Sequence, residues 1–128
     1  MEYLLIICTD EPFTPDEDMA QTTTAWVDDV DGRGIRKAGD RLRPATDATT
    51  VRVRDDEVLI SDGPFAETKE QLGGYIILNC RDLDEALEWA AKFPTACGGV
   101  GCVEVRPILE IPGFGKREEM NAVQQLHG

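Results

Sequence analysis

The sequence contains one histidine among 128 residues, and that residue, His127, is next to the last position. Catalytic triads and most protein zinc sites use an imidazole as base or ligand, so the body of the chain offers no Ser–His pair, no Cys–His pair and no histidine-based metal site. No glycine pattern matches a phosphate loop or a dinucleotide-binding fold. We therefore predict no metal and no cofactor, and any chemistry depends on carboxylates, thiols, Tyr75 or Arg106.

Basic residues are also scarce, since 13 Lys and Arg stand against 25 Asp and Glu and give a formal net charge of −12. Such a charge repels phosphate backbones, and direct nucleic-acid binding requires a basic surface. This composition predicts a protein that does not bind nucleic acid directly. Bases exceed acids locally in one stretch, which we interpret as a solvated loop or the rim of an interface rather than a docking surface: Arg33, Arg36, Lys37, Arg41 and Arg43.

Long apolar runs are absent, because no segment approaches the roughly 18 residues of a membrane span. The first eight residues lack the basic start and cleavage site of a secretory signal. Of the four cysteines, Cys8 and Cys80 lie in strand-like runs, and the spacing of Cys97 and Cys102 is too loose for a zinc knuckle. We expect a cytoplasmic protein that carries thiols and has no membrane partner.

Hydrophobic periodicity and turn residues predict an alternation of strands and helices. Thr14 and Pro15 form a helix start, and Gly32 and Gly34 end that helix. Asp82 is the N-cap of a second helix, which Pro94 ends. The predicted strands cover residues 3–8, a short extended piece at 40–44, a hairpin at 49–61, and strands at 75–80 and 102–109.

The same periodicity assigns side chains to the interior. On the first helix the inward stripe is Met19, Thr23, Trp26, Val27 and Val30, and on the second it is Leu83, Ala86, Leu87, Ala90 and Phe93. Within the hairpin, Val51 and Val53 are expected to face inward and Arg52 and Arg54 outward. The last strand is expected to turn Val103 and Val105 inward and Glu104 and Arg106 outward.

This order of elements matches an α+β, ferredoxin-like split βαβ fold, with one antiparallel sheet and two helices on one face. We expect residues 1–109 to form this domain and residues 110–128 a C-terminal tail. Five alternating strand positions give more apolar surface than two helices can cover: Tyr3, Leu5, Ile7, Ile76 and Leu78. We therefore predict a homodimer in which the second sheet face packs against another copy.

The chemically densest stretch covers residues 61–74. Asp62, Gly63 and Pro64 are typical of a reverse turn, followed by Phe65 as a core residue. Glu67 and Glu70 are three apart, so a helical turn places both on one face, where paired carboxylates provide a general acid or base. The alternative for this pair is a solvated turn with a Glu–Lys contact. Similarly, Arg106 beside Glu104 either reaches a ligand carboxylate or forms a cross-strand ion pair.

The run from Asp62 to Glu70, DGPFAETKE, closely resembles the signature of the DGPF branch of the YCII-related proteins. Further similarities lie at Gly73-Gly74-Tyr75, in residues 82–90 and in residues 103–107. The resemblance implies a ferredoxin-like domain that dimerises through its sheets, with dimeric α/β-barrel packing. Some relatives look like small lyases, including a dehydrochlorinase with a histidine and an aspartate as the proposed working pair. Because this chain has no histidine before residue 127, the resemblance implies only an acid role, for Asp62, Glu67 or Glu70.

Two functions follow as expectations. In the first, the protein is a small-molecule-binding dimer with carboxylate-based lyase or isomerase chemistry on an anionic or carbonyl-bearing ligand. Asp62, Glu67 and Glu70 are then the catalytic candidates, and the ligand-binding candidates are Lys69, Tyr75 and Arg106. In the second, which the resemblance also implies, the chain is a non-catalytic regulatory or sensory module associated with an extracytoplasmic-function sigma factor.

Overall fold

The computed structural model describes residues 1–10, 17–64, 70–99 and 101–111. Its elements, in chain order, are β1 Glu2–Asp10, α1 Glu17–Gly32, β2 Arg36–Arg41, a 3-10 turn Ala45–Asp47, β3 Thr49–Arg54, β4 Glu57–Asp62, β5 Glu70–Asn79, α2 Leu83–Lys92, α3 Pro94–Cys97 and β6 Gly101–Pro107. The two predicted helices, the hairpin and the strands predicted at 3–8, 75–80 and 102–109 are present. The extended piece predicted at 40–44 overlaps β2 only at residues 40 and 41, because β2 begins earlier, at Arg36. The predicted helix start at Thr14 and Pro15 and the predicted core residue Phe65 lie outside the described residues.

The main sheet has the strand order β2-β5-β1-β6, and all its neighbouring strands are antiparallel. With β3 and β4 set aside, this order and the helix after β1 and after β5 define the ferredoxin-like split βαβ fold. The predicted α+β class is therefore confirmed. Strands β3 and β4 form a separate two-stranded sheet inserted between β2 and β5. None of the helices in the described ranges is long and apolar enough to cross a bilayer.

The core lies between the helices and one face of the main sheet. Period-two alternation turns Tyr3, Leu5 and Ile7 of β1 and Ile76 and Leu78 of β5 toward the helices, where all five are buried. These side chains meet Trp26 and Val30 of α1 and Ala86, Ala90 and Phe93 of α2 and its end. Val103 and Val105 of β6 pack against this cluster as predicted.

Helix α2 begins as predicted, because the Asp82 carboxylate accepts a hydrogen bond from the Glu85 backbone N–H over 3.0 Å. Its predicted buried stripe is partly wrong. Ala86, Ala90 and Phe93 are buried, but Leu83 and Leu87 are exposed, since β6 and α1 reach only one side of this short helix. Pro94 ends α2 and then opens α3, in line with the preference of proline for the first helical turn.

The hairpin β3–β4 forms with the predicted turn, in which Asp55 and Asp56 both have positive φ. The prediction that Val51 and Val53 face inward is wrong. The register pairs Val51 with Ile60 and Val53 with Val58 on one face, and all four side chains are 60–69% exposed. The alternation was real, but the hairpin projects from the domain and no described element covers this face.

The open face of the main sheet differs from the one predicted. Tyr3, Leu5, Ile7, Ile76 and Leu78, which were expected to exceed the capacity of the helices, are all buried beneath them. The opposite face carries the alternate residues, among them Leu4, Ile6 and Ile77, which are half-buried by their neighbours in the sheet. Cross-strand register adds Glu104 and Arg106 of β6 to this open sheet face.

Candidate functional site

A cleft of about 610 Å³ lies between α1 and the β2–β5 side of the sheet, and we call it the α1 cleft. Its volume is within the roughly 300–1,000 Å³ of ligand pockets. One wall comes from α1, and the opposite wall from the chain that leaves β2 and from the start of β5. Its lining includes Ile7, Thr9, Met19, Thr23, Val27, Arg36, Gly39, Asp40, Arg41, Leu42, Arg43, Leu72, Gly73, Gly74, Tyr75, Ile76, Phe93 and Thr95.

Two glycines allow β2 and β5 to approach each other closely beside the cleft. Gly39 has φ +154°, and a Cβ on it would lie 2.8 Å from the Tyr75 carbonyl oxygen. A Cβ on Gly74 would lie 3.1 Å from the Asp40 carbonyl oxygen. The Leu42 N–H then donates to the Gly73 carbonyl over 2.9 Å, which extends the contact past the end of β2. Gly39 and Gly74 therefore serve a close approach of two strands, in a wall that faces the cleft.

The mouth of the cleft is basic. Residues 33–54 hold seven bases and two acids, whereas the remainder of the chain holds six bases and twenty-three acids. Asp31 accepts two hydrogen bonds from the Arg36 guanidinium, at 2.6 and 2.8 Å, and these bonds lower the pKa of its carboxyl. Arg43 donates to Asp47 over 2.8 Å. Among the described residues Arg41 has no such carboxylate partner, so its guanidinium is the cation available to a ligand.

A phenol and a carboxylate also meet at this edge of the sheet. Tyr75 of β5 lies opposite Asp40 of β2 in the register, and its hydroxyl donates to the Asp40 carboxylate over 3.4 Å. The register places Tyr75 opposite Ile6 of β1 and Asp40 opposite Tyr75, so both side chains lie on the open sheet face and the two residues border the α1 cleft only through their backbones. The floor of the cleft is apolar through Ile7, Ile76 and Phe93, and the guanidinium of Arg41 lies at its mouth. This arrangement suits a small molecule with an apolar body and one anionic or carbonyl group.

The residues predicted as a site are spread over the molecule. Tyr75 borders the α1 cleft, but its side chain lies on the open sheet face opposite Ile6. Asp62 is exposed at the end of β4, where Gly63 closes the hairpin base through its N–H to the Ala48 carbonyl. Glu70 opens β5, and its backbone pairs with that of Asp10 at the end of β1. Glu67 and Lys69 lie outside the described residues.

Arg106 lies away from the cleft, on the open sheet face at the opposite edge strand. Its Nη2 forms an ion pair of 2.6 Å with Glu104, two residues before it on the same strand. The predicted salt bridge is therefore present, but it runs along β6 and does not cross to another strand. Both side chains are exposed, so this pair contributes little stability.

Two further kinds of site have little support in the described part of the chain. No group of three or more His, Cys, Asp and Glu side chains there is placed to hold a metal ion. A shallower depression of about 420 Å³ lies on α1 alone, lined by exposed side chains such as Gln21, Thr24 and Asp28. A surface made by one helix cannot enclose a ligand as the α1 cleft can.

Sequence reasoning missed Arg41 as a site residue. The five local bases were interpreted as a solvated loop or interface rim, and three of them, Arg33, Arg36 and Arg43, are indeed held by neighbouring carboxylates. The position of Arg41 could have indicated its role. It is the last residue of a strand and is followed by Leu42 and Pro44, where the chain leaves the sheet beside the helix that follows β1.

Comparison with known proteins gives a family. The model of the YCII-related domain matches residues 1–112. An uncharacterised protein of Rhizobium meliloti (strain 1021) is 41% identical over 107 residues, covering 71% of this chain and 86% of the relative. The solved 5-chloro-2-hydroxyhydroquinone dehydrochlorinase of Burkholderia phenoliruptrix AC1100, in complex with 2,5-dihydroxybenzoquinone, has a TM-score of 0.49 at 14% identity, covering 87% of this chain and 96% of that one. A likeness this weak transfers neither ligand nor activity.

Proposed function

Since the chain belongs to the YCII-related family, we propose that it binds a small anionic or carbonyl-bearing molecule in the α1 cleft. The observation that supports this proposal is the guanidinium of Arg41 at the mouth of a cleft with an apolar floor. A carboxylate or enolate paired with Arg41 places its apolar body on Ile7, Ile76 and Phe93. The excess of bases in residues 33–54 raises the local concentration of anions despite the negative net charge.

We propose that the chemistry, where there is any, is a proton transfer of the lyase or isomerase kind. The candidates remain the carboxylates of Asp62, Glu67 and Glu70, with Lys69, Tyr75 and Arg106 as ligand-binding candidates. Two residues that line the cleft are close in sequence to this end of the sheet. Leu72 lies two residues after Glu70, and Thr9 lies one residue before Asp10, whose backbone pairs with that of Glu70. Because Glu70 is the candidate closest in sequence to a lining residue, it is the carboxylate to test first.

Binding can be tested by calorimetry with benzoate and cis,cis-muconate as probes and their neutral amides as matched controls. We expect Arg41→Ala to weaken binding of the carboxylates by at least about tenfold, the usual effect of losing one charged hydrogen bond. Arg54→Ala, an exposed arginine of the hairpin that does not line the cleft, should leave affinity unchanged. Equal affinity for acids and amides would contradict an anion site.

The position of the ligand can be tested by filling the cleft. Thr23 is half-buried in the wall formed by α1, whereas Ala25 is exposed on the same helix outside the α1 cleft. Thr23→Phe should abolish binding of the carboxylate probes, and Ala25→Phe should preserve it. For catalysis, Glu67→Gln and Glu70→Gln should remove turnover with little change in melting temperature, and a large loss of stability would assign these residues to the fold.

The homodimer remains a proposal, and the open sheet face supports it. Leu4, Ile6 and Ile77 form an aliphatic strip there, and in the described part of the chain no helix packs on it. A two-fold related copy would cover both strips at once, because an isologous contact uses the same surface twice. The dimer would then be the unit that binds the ligand in the cytoplasm.

The hairpin favours a second candidate function, a regulatory module associated with an extracytoplasmic-function sigma factor. An isolated two-stranded hairpin is marginally stable in water, and this one exposes two aliphatic cross-strand pairs. A protein partner would cover them. Co-purification of a sigma factor that Val53→Asp abolishes would support this function, and a chain that binds the carboxylate probes without any such partner would contradict it.

A further inference from the structure

Two cysteines that are 94 positions apart in sequence lie directly opposite one another in the main sheet. The antiparallel register of β1 and β6 pairs Cys8 with Cys102, between the pairs Ile7–Val103 and Thr9–Gly101. Directly opposed residues of an antiparallel pair point to the same face, with Cα atoms about 4.5–5.5 Å apart. A disulfide needs Cα atoms about 4.4–6.8 Å apart, so this register fulfils the backbone requirement.

The backbones at this pair are held unusually close by a glycine. A Cβ added to Gly101, the neighbour of Cys102, would collide with the Cys8 carbonyl oxygen and lie 2.9 Å from the Cα of Thr9. Strand β6 is an edge strand, bonded to β1 on one side only, so it can adjust by the small shift that a cross-link requires. Cys102 is exposed and Cys8 half-exposed in the single chain, on the open sheet face but two positions along β1 beyond Ile6 and thus beyond the aliphatic strip of Leu4, Ile6 and Ile77.

We propose that Cys8 and Cys102 are a reversible dithiol site, in which a hydroperoxide or a low-molecular-weight disulfide forms an intramolecular bond between β1 and β6. With hydrogen peroxide, the Cys102 sulfur attacks one oxygen, the O–O bond breaks and one water leaves. The Cys8 sulfur then attacks the resulting sulfenic acid, the S–O bond breaks and a second water leaves. Two thiols lose two electrons and two protons in total, and peroxide is reduced to two waters. A thiol reductant restores the pair.

The chain contains its own unreactive reference. Cys80 is buried, and this burial, together with the neighbouring Glu85, raises the pKa of its thiol to about 11. Only a small fraction of Cys80 is then thiolate at neutral pH, and its sulfur is shielded from reagents. Selective oxidation of the Cys8–Cys102 pair is thus expected in the folded protein. It is independent of ligand binding in the α1 cleft, which none of these three cysteines lines.

The test is titration of the full chain with hydrogen peroxide or diamide, followed by denaturation, alkylation and peptide mapping. The reduced protein should give four alkylated cysteines, and the oxidised protein two. A linked peptide pair containing Cys8 and Cys102 should appear, and non-reducing electrophoresis should show a single-chain species. Cys102→Ser should abolish the linked peptides, whereas Cys80→Ser and Cys97→Ser should retain them.

Three outcomes would overturn the proposal. A link between Cys97 and Cys102 would join Cys102 to the segment before β6 and not to β1. A link between chains would assign the thiols to intermolecular cross-linking. Retention of all four thiols, under diamide concentrations that fully oxidise a small dithiol, would show that the strands do not permit the bond. Cys102 is exposed, so Cys102→Ser is expected to fold, and the result does not depend on a Cys8 variant.

Discussion

The indole N–H of Trp26 in α1 donates a hydrogen bond to the backbone carbonyl of Trp89 in α2 over 3.0 Å. The same ring lies edge-on to Trp89, with centroids 6.2 Å apart, and to Phe93, with centroids 4.9 Å apart. Trp26 is buried, so its one polar atom needs this partner. Through this contact the two helices, which follow different strands, are fixed against each other above the sheet.

Replacing Trp26 should separate the packing from the hydrogen bond. Trp26→Phe keeps an aromatic ring but leaves the Trp89 carbonyl without its donor, and we expect a loss of about 1–2 kcal/mol in the free energy of unfolding. Trp26→Ala should cost about 3–5 kcal/mol through the added cavity. Trp89→Phe is the matched control because it preserves the accepting carbonyl. Urea denaturation measures all three, and equal effects of Trp26→Phe and Trp89→Phe would contradict the role of the hydrogen bond.

Substitutions at two separate glycines test the close approach of β6 to β1. Gly101→Ala would force its Cβ against the Cys8 carbonyl and should destabilise the protein by at least about 2 kcal/mol, because backbone atoms cannot move aside as flexible side chains do. Around Gly32, at the end of α1, no atom lies within 4 Å of an added Cβ. Gly32→Ala should therefore change stability by less than about 0.5 kcal/mol. Melting temperatures of the two variants give the comparison, and similar values would refute the close approach.

Asp82 makes stability depend on pH in a predictable direction. Its pKa is lowered, first by the hydrogen bond from the Glu85 N–H and then by Arg81, so the folded state binds this proton less readily than the unfolded state. A lowered folded pKa contributes stability above the unfolded value, about 3.9 for aspartate, and this contribution disappears as pH falls through the folded pKa.

Asp82→Ala should accordingly lower the melting temperature at pH 7, and the difference from the unaltered protein should shrink as pH falls from 5 toward 2. Asp84→Ala is the control, because Asp84 is an exposed acid of the same first turn whose side chain is not the cap. Calorimetric melting across this pH range measures both. A difference for Asp82→Ala that does not change with pH would assign the effect to helix propensity and not to the carboxylate.

The order of elements could be predicted from the sequence because local signals agreed with the final fold. Asp82 and Glu85 mark a helix start, Asp55-Asp56 marks a turn, and residues 3–8 form a short apolar run that suits a buried strand. Where the prediction failed, the alternation of residues was correct but the burial inferred from it was wrong. Val51 and Val53 alternate with arginines as an inward face should, yet the hairpin has no described partner. Periodicity gives the face of a strand, and only tertiary structure gives what covers that face.

The site was harder to predict for the same reason. Arg41 becomes a site residue only because β2 pairs with β5 and α1 crosses above them, whereas Tyr75, selected by residue type, has its side chain on the open sheet face. Arg106 also lies on that face, two strands away from Tyr75. Such long-range pairings are not encoded in any local spacing.

The oligomeric state provides the last prediction. Ile6 lies in the centre of the open sheet face, on β1, between Tyr75 of β5 and Glu104 of β6. If a second copy covers this face, Ile6→Asp places two unpaired carboxylates at the two-fold contact, and burial of such charges costs several kcal/mol. We expect light scattering after size exclusion to give a dimer for the unaltered chain and a monomer for Ile6→Asp.

Leu87→Asp is the control, because Leu87 is an exposed leucine on α2, away from the open sheet face. It should leave the dimer intact, and circular dichroism should show that both variants fold. Val53→Asp then distinguishes the two apolar surfaces of the chain: a monomer with Val53→Asp and a dimer with Ile6→Asp would place the contact on the hairpin. A monomer for the unaltered chain at all concentrations would remove the dimer proposal and leave the hairpin face for a different protein.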